Sequence, residues 1–128
     1  MQMIVRNPAE GIYEATPDYV HAMEVVRPQR LLFFSGTMGL DPAGRAPAGL
    51  AEQLDCVWSN IRRILAEAGM GVDNLVRVTS YLRDAAYVEA NQAARLEALG
   101  RRRIPTTAIV VETLEPGWLV ELEAIAAG

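Results

Sequence analysis

The chain has 128 residues, of which 51% are apolar and 22% charged, and its formal net charge is −4 at pH 7. This length predicts a single globular domain over 1–128, and the acidic balance argues against a dedicated nucleic-acid binder. All 12 cationic residues are arginine, which excludes lysine-based covalent catalysis. One histidine and one cysteine are too few for a structural zinc site, an iron–sulfur cluster or an internal disulfide.

The first half of the chain predicts two strands followed by a helix. Residues 20–26 and 31–35 are apolar segments joined by a short polar link with a proline, which predicts a β-hairpin. Glycine and proline are frequent over 38–49, which predicts a loop. Over 51–68, apolar side chains recur at spacings of three and four. That pattern predicts an amphipathic helix, and Gly69 ends it.

The second half predicts a strand, a helix and two more strands. Residues 75–82 are rich in β-branched side chains, whereas 85–99 is rich in alanine and leucine and is followed by Gly100. The last two predicted strands cover 104–113 and 118–126. If each strand–helix–strand connection is right-handed and the strand order does not reverse, both helices lie on one face of a single sheet, giving an α/β (α+β) fold.

Two short segments, 31–34 and 108–111, are apolar at every position. Strands of this kind are usually buried on both faces, but two helices cover only one face of a sheet. We therefore expect copies of the chain to associate through the other face. The segments are too short to cross a membrane, and residues 1–8 lack the pattern of a signal peptide. The expected location is cytoplasmic.

A pair of carboxylates marks the last predicted strand. Glu121 and Glu123 lie two residues apart, so their side chains share one face of the sheet about 7 Å apart. Carboxylates so placed can exchange protons with a water molecule, although a solvated acidic face has the same pattern. Other reactive residues favour structural interpretations: a lone histidine (His21), a packed thiol (Cys56), and arginines 101–103 that are solvated or bound to helix carbonyls.

Several segments together resemble the RidA (YjgF) superfamily over about residues 15–127. They are Ser35-Gly36, the helix 53–68 with Asn60, the strand 76–81, Asn91, Pro105 and, most specifically, the run Val120-Glu121-Leu122-Glu123-Ala124-Ile125-Ala126. The resemblance implies a chorismate-mutase-like fold, with a mixed sheet and two helices on one face, assembled as a homotrimer. It also implies hydrolysis of reactive imines and enamines derived from amino acids, in clefts between subunits, without metal or organic cofactor.

The resemblance also assigns roles to individual residues. Glu123 matches the glutamate that positions the attacking water, and the residues that match the substrate cleft are Tyr19, Ser35, Gly36 and Asn91. Thr107 also lies in the matched cleft but departs from the pattern, because imine-hydrolysing relatives carry an arginine there that binds the substrate carboxylate. We therefore expect an altered substrate, one that is neutral or carries its charge elsewhere on the molecule. One of the arginines 101–103 from a neighbouring subunit could supply the missing group.

Three functions are open at this point. The first is a cofactor-free deaminase of imines or enamines, and the second is a non-catalytic trimer that holds a small molecule in the cleft between subunits. The third, a ribonuclease, is poorly supported because the chain has no basic groove and no histidine-containing acid/base pair. The expected partners are further copies of the chain and a small-molecule substrate or ligand, with no nucleic acid and no membrane.

Overall fold

The computed structural model describes all residues, 1–128, as seven strands and two helices. The helices are Leu50–Glu67 (α1) and Val88–Ala98 (α2), and the strands are Gln2–Val5 (β1), Met23–Val26 (β2), Leu31–Phe33 (β3), Thr37–Met38 (β4), Leu75–Leu82 (β5), Thr106–Val110 (β6) and Val120–Ala127 (β7). Single 3₁₀ turns precede β5 and α2. No helix is both long enough and apolar enough to span a membrane.

The main sheet is mixed and has β7 in its interior. Its strand order is β3-β7-β5-β6, and β4 also pairs with β7. Strand β7 runs antiparallel to β3, β4 and β5, whereas β5 and β6 are parallel because α2 connects them as a crossover. The predicted mixed sheet is confirmed, and the strand 75–82 was predicted to the residue. The strand predicted over 118–126 starts two residues later and ends one later, and the one predicted over 104–113 is shorter at both ends.

Both helices pack on one face of this sheet, as predicted. Alternate residues of β5 and β7, such as Val78 and Leu122, are buried in one cluster with the apolar stripe of α1. That stripe includes Val57, Ile61 and Leu65, which follow the predicted spacing, although Ile64 is 36% exposed. The helices end at glycines in the left-handed region, Gly69 and Gly100, as their positions in the sequence predicted.

The predicted hairpin between 20–26 and 31–35 is wrong. Strand β2 pairs with β1 in a separate two-stranded sheet, whereas β3 pairs with β7 in the main sheet. The link between β2 and β3 starts with Arg27 at a φ of 52°. It then joins the main sheet, because the N–H groups of Gln29 and Arg30 donate to the carbonyl of Gly128. A polar link therefore marks a change of sheet, and local sequence does not distinguish that from a turn within one sheet.

The face of the main sheet opposite the helices, called here the open face, is uncovered in a single chain. Its apolar side chains come from the two predicted apolar segments: Leu31 is 53% exposed, Phe33 68% and Ile109 45%. The open face also carries the outward-pointing residues of β5, β6 and β7, namely Arg77, Thr79, Tyr81, Thr107, Glu121, Glu123 and Ile125. It therefore combines an apolar rim with a polar centre.

Candidate active site

A pocket of about 260 Å³ lies on the open face where β3, β5 and β7 meet. It contains Glu123, and its other lining residues are Phe33, Phe34, Arg77, Thr79, Ala124 and Ile125. A larger and shallower depression of about 820 Å³ follows the outer side of α2, and it contains none of the predicted site residues. The pocket on the open face is therefore the candidate active site.

Glu123 reaches this pocket because of the alternation in β7. Its neighbours Leu122 and Ala124 are buried against the helices, so Glu123 points to the open face, as predicted. The Tyr81 hydroxyl on β5 donates to Glu123 Oε1 at 2.6 Å, and Oε2 makes no hydrogen bond within the chain. One carboxylate oxygen of this pocket residue is thus held in place while the other is free.

The same hydrogen bond keeps Tyr81 protonated. Donation to the Glu123 carboxylate raises the pKa of the Tyr81 phenol above its ordinary value, with desolvation adding to the effect and the nearby Arg77 opposing it. Tyr81 is therefore a neutral hydrogen-bond donor at physiological pH. Tyr81 was not predicted as a site residue, because its partner is 42 positions away in the chain.

Glu121 shares the open face with Glu123 but has different surroundings. Its carboxylate lies where a Cβ atom on Gly36 would project, so it packs against the loop between β3 and β4. Ser35 lies in the same exposed loop, and its carbonyl accepts a hydrogen bond from the Thr37 hydroxyl at 3.1 Å. Ser35 and Gly36 therefore lie at the end of β3 beside the candidate site, and Glu121 supports that loop.

Thr107 also points to the open face, and an arginine lies against it. In the register between β5 and β6, Thr107 is opposite Thr79, and Thr79 is in turn opposite Glu123 on β7. The Arg77 guanidinium donates from Nη2 to Thr107 Oγ1 at 3.0 Å. Arg77 was not predicted as a site residue, although its alternating spacing with Thr79 and Tyr81 indicates that it lies on this face.

Tyr19 and Asn91 are not at this pocket in a single chain. Asn91 lies on α2, is only 3% exposed, and its Oδ1 has no hydrogen-bond partner.

Tyr19 follows Asp18, which is tied to α2 by an ion pair with Arg95 at 2.8 Å. Burial opposes ionisation of Asp18, but hydrogen bonds from Thr16 and Arg95 outweigh it and hold its pKa below the usual value.

The arginines at 101–103 also lie away from Glu123. Arg102 donates to the carbonyls of Val72 and Leu75 at 2.8 and 2.7 Å, so it supports the start of β5 and not the end of α2. Its desolvation lowers the pKa of Arg102 from the ordinary value. Arg101 and Arg103 border a surface depression beside Asp18. No three His, Cys, Asp or Glu side chains come close enough to share a metal ion.

Comparison with known proteins relates this arrangement to a large group of small α+β proteins. The family model for endoribonuclease L-PSP matches residues 12–128. A RutC family protein of Pyrococcus abyssi is 31% identical over 105 residues, 80% of this chain and 83% of that protein. The 2-iminobutanoate/2-iminopropanoate deaminase of Bos taurus is also 31% identical over 105 residues, 80% and 77% of the two chains. The crystal structure of a conserved Rid family protein from Yersinia pestis covers 100% of both chains with a TM-score of 0.85 at 27% identity.

Proposed function

Because the chain belongs to the endoribonuclease L-PSP family, also known as the RidA (YjgF) superfamily, we propose that it is a cofactor-free hydrolase of reactive imines or enamines. The observation that carries this proposal is the position and hydrogen bonding of Glu123. It is an exposed carboxylate in a pocket, with one oxygen held by Tyr81 and the other free. Such a group can orient a water molecule and accept its proton. Similarity to named imine deaminases supports the same reaction.

The reaction needs only water and proton transfer. The water oxygen forms a bond to the imine carbon while Glu123 takes one of its protons. That proton then passes to the nitrogen, which gives a carbinolamine. A second proton transfer, from the new hydroxyl group to the nitrogen, accompanies cleavage of the C–N bond, and the products are a carbonyl compound and ammonia. Tyr81 contributes by fixing the carboxylate, so that less orientation is needed when the water attacks.

We also propose that the cleft is completed by a second copy of the chain within a homotrimer. Leu31, Phe33 and Ile109 expose apolar surface around the pocket, and a neighbouring subunit on the open face would bury it. Tyr19 and Asn91 lie away from Glu123 in one chain. A role for Tyr19 in substrate binding therefore requires that it reaches the Glu123 pocket of an adjacent subunit. Asn91 is only 3% exposed in its own chain, so a role for it would also require that its side chain become accessible.

The substrate is held differently from that of arginine-bearing relatives, because position 107 carries a hydroxyl group. A threonine can make one neutral hydrogen bond to a substrate carboxylate, whereas an arginine forms a charged, two-pronged contact. On this difference we propose that the preferred substrate is not the same as that of the arginine-bearing relatives.

Ammonia release tests the proposed reaction. An amino-acid oxidase generates imines in place, and the purified chain is expected to accelerate ammonia release above the uncatalysed rate. Glu123→Gln should abolish most of the acceleration, whereas the matched control Glu121→Gln should keep it. A non-catalytic binder would instead raise its melting temperature with the ligand and leave ammonia release at the uncatalysed rate, which would contradict the proposal.

A ribonuclease is the weaker alternative, despite the name of the family model. General acid–base cleavage of RNA commonly uses histidine, and the only histidine, His21, bonds through Nε2 to the carbonyl of Tyr13 at 2.7 Å. It packs against the ring of Tyr19 and is not a pocket residue. Release of soluble nucleotides from RNA, unaffected by Glu123→Gln, would favour this alternative over imine hydrolysis.

A further inference from the structure

We propose that Arg77, oriented by Thr107, is the residue that binds the carboxylate of an anionic imine substrate. The inference rests on the proposed hydrolase function and specifies how the substrate is held. It replaces the expectation that, with threonine at 107, the substrate is neutral or carries its charge elsewhere. The positive charge comes from Arg77 on the neighbouring strand β5. The Thr107 hydroxyl accepts a hydrogen bond from the guanidinium and so orients it.

The positions of the strands support this assignment. Strand β5 lies between β6 and β7, so a residue on its open face is one strand closer to Glu123 than Thr107 is. Arg77 nevertheless extends towards β6, because its Nη2 is 3.0 Å from Thr107 Oγ1. Its guanidinium therefore lies next to position 107, and Arg77 and Glu123 line the same pocket.

The guanidinium also has unused binding capacity. It has five N–H donors, and its one hydrogen bond within the chain goes to the neutral Thr107 hydroxyl. The chain has two ion pairs, Arg6–Glu24 and Arg95–Asp18, and Arg77 takes part in neither. Thr107 therefore orients the guanidinium without neutralising its charge, and a carboxylate is the ligand that best matches the free donors.

The charges in the pocket match those of a 2-imino acid. A protonated imine next to a carboxylate carries a positive and a negative group on adjacent carbon atoms. In the pocket, the cationic Arg77 and the anionic Glu123 are both lining residues and form no ion pair with each other. A substrate whose carboxylate contacts Arg77 would place its C=N group on the side of Glu123, where the water is activated.

The experiment compares Arg77→Met with the wild type and with Arg63→Met, which removes an exposed arginine from α1. Rates of ammonia release are measured with 2-iminopropanoate, formed by an amino-acid oxidase, and with the neutral imine that an amine oxidase forms from benzylamine. Binding of 2-oxobutanoate, measured by calorimetry, reports carboxylate binding without turnover. We expect Arg77→Met to lower kcat/KM for 2-iminopropanoate and affinity for 2-oxobutanoate by about 10- to 100-fold, the range for hydrogen bonds to a charged group. The rate with the neutral imine should not change.

A second-site change adds a rescue test. In the Arg77→Met background, Thr107→Arg places a guanidinium where the relatives carry theirs, and it should restore much of the lost rate with 2-iminopropanoate. If Arg77→Met fails to fold, Arg77→Lys takes its place, because lysine keeps the charge but loses the two-pronged geometry. It should be several-fold weaker than the wild type in both assays, and wild-type values would overturn the proposal.

The outcomes separate this inference from the proposed function. If the wild type accelerates ammonia release and Arg77→Met matches Arg63→Met in both assays, the hydrolase function stands and the role of Arg77 is wrong. An equal loss with the neutral imine would likewise overturn it, because the effect would not depend on the carboxylate. If the wild type does not accelerate ammonia release, the proposed function fails. In that case the affinity for 2-oxobutanoate still tests Arg77: weaker binding by Arg77→Met than by Arg63→Met supports its role, and equal binding contradicts it.

Discussion

At the scale of single residues, the two glutamates of β7 show what sequence alternation can and cannot establish. It correctly placed Glu121 and Glu123 on one face, because the period of a strand is local. It could not distinguish them, because their surroundings come from elsewhere in the chain: Tyr81 binds Glu123, whereas Gly36 lies against Glu121. Assigning the water-positioning role to Glu123 depended on the family resemblance.

The first prediction concerns these two carboxylates. Glu123→Gln removes the proton acceptor but keeps the size of the side chain, and we expect kcat to fall by about 10²- to 10⁴-fold, the usual contribution of a general base. Glu121→Gln should change kcat less than about 3-fold, because Glu121 supports a loop and does not face the pocket. Steady-state ammonia release measures both. Equal effects of the two substitutions would contradict the assignment of the base.

The second prediction concerns Tyr81. Tyr81→Phe removes one hydrogen bond from the Glu123 carboxylate and should lower kcat/KM by about 10- to 100-fold, the value of a single hydrogen bond to a charged group. The wild-type phenol has a raised pKa because it donates to Glu123. In an alkaline titration followed by ultraviolet difference spectra, one of the four tyrosines should therefore ionise at higher pH in the wild type than in Glu123→Gln. Identical titration curves would show that the Tyr81–Glu123 hydrogen bond does not form in solution.

At the scale of secondary-structure elements, those with dense local signals were predicted well. The apolar stripe and terminal glycine of α1, and the alternating residues of β5 and β7, are encoded within a few neighbouring positions. The pairing of β1 with β2 was missed because strand partners are fixed by long-range contacts, and β1 has only four residues. The position of Arg77 beside Thr107 was missed for the same reason, since β5 and β6 are paired across α2.

The third prediction tests the ion pair that ties the segment before β2 to α2. Asp18→Asn should destabilise the fold at pH 7 by about 1.5–3 kcal/mol, the value of a hydrogen bond between charged groups, because Arg95 is only 3% exposed. The pKa of Asp18 is lowered in the folded state, so its stabilising effect is present above the unfolded pKa near 3.8 and is lost as the pH falls through the lower folded value. Denaturant unfolding should therefore give a clear difference between wild type and Asp18→Asn at pH 7, and a much smaller one at pH 3.

The fourth prediction compares two glycines. A Cβ atom on Gly39 would collide with the backbone carbonyl of Gln53 on α1, whereas a Cβ atom on Gly71 would meet nothing within 4 Å. Gly39→Ala should therefore destabilise the fold by about 1–3 kcal/mol, the usual cost of overpacking. Gly71→Ala should change the stability by less than about 1 kcal/mol. If thermal unfolding shifts equally for both variants, the close contact between the loop after β4 and α1 is not formed.

At the scale of the whole molecule, the open face is the feature that the sequence predicted without help from the family. Two fully apolar segments and only two helices implied an uncovered sheet surface, and the exposed Leu31, Phe33 and Ile109 lie there. The sequence could not predict how the polar centre of that face is arranged, because it draws on three strands that are far apart in the chain.

The fifth prediction tests the proposed assembly. Light scattering coupled to size exclusion should give three times the mass of one chain. Ile109→Glu places a charge in the apolar rim of the proposed contact and should shift the protein to smaller species, with loss of ammonia release. Leu114→Glu is the matched control, because Leu114 is 88% exposed in the loop between β6 and β7 and should leave the mass unchanged. A wild-type monomer at micromolar concentration would remove the basis for a cleft between subunits.

The interior position of β7 has a consequence for how the molecule acquires its pocket during synthesis. This strand is made after all the others, yet it pairs with β3, β4 and β5 and supplies Val120, Leu122, Ala124 and Ala126 to the buried cluster. Until β7 is synthesised, β3 and β5 have no strand between them. The pairings of β7 with β3 and β5 join residues that are far apart in sequence, and such contacts form slowly. Glu123 enters on the same strand that closes the sheet. The sheet is therefore completed, and the candidate base placed in it, by the same strand of the nascent chain.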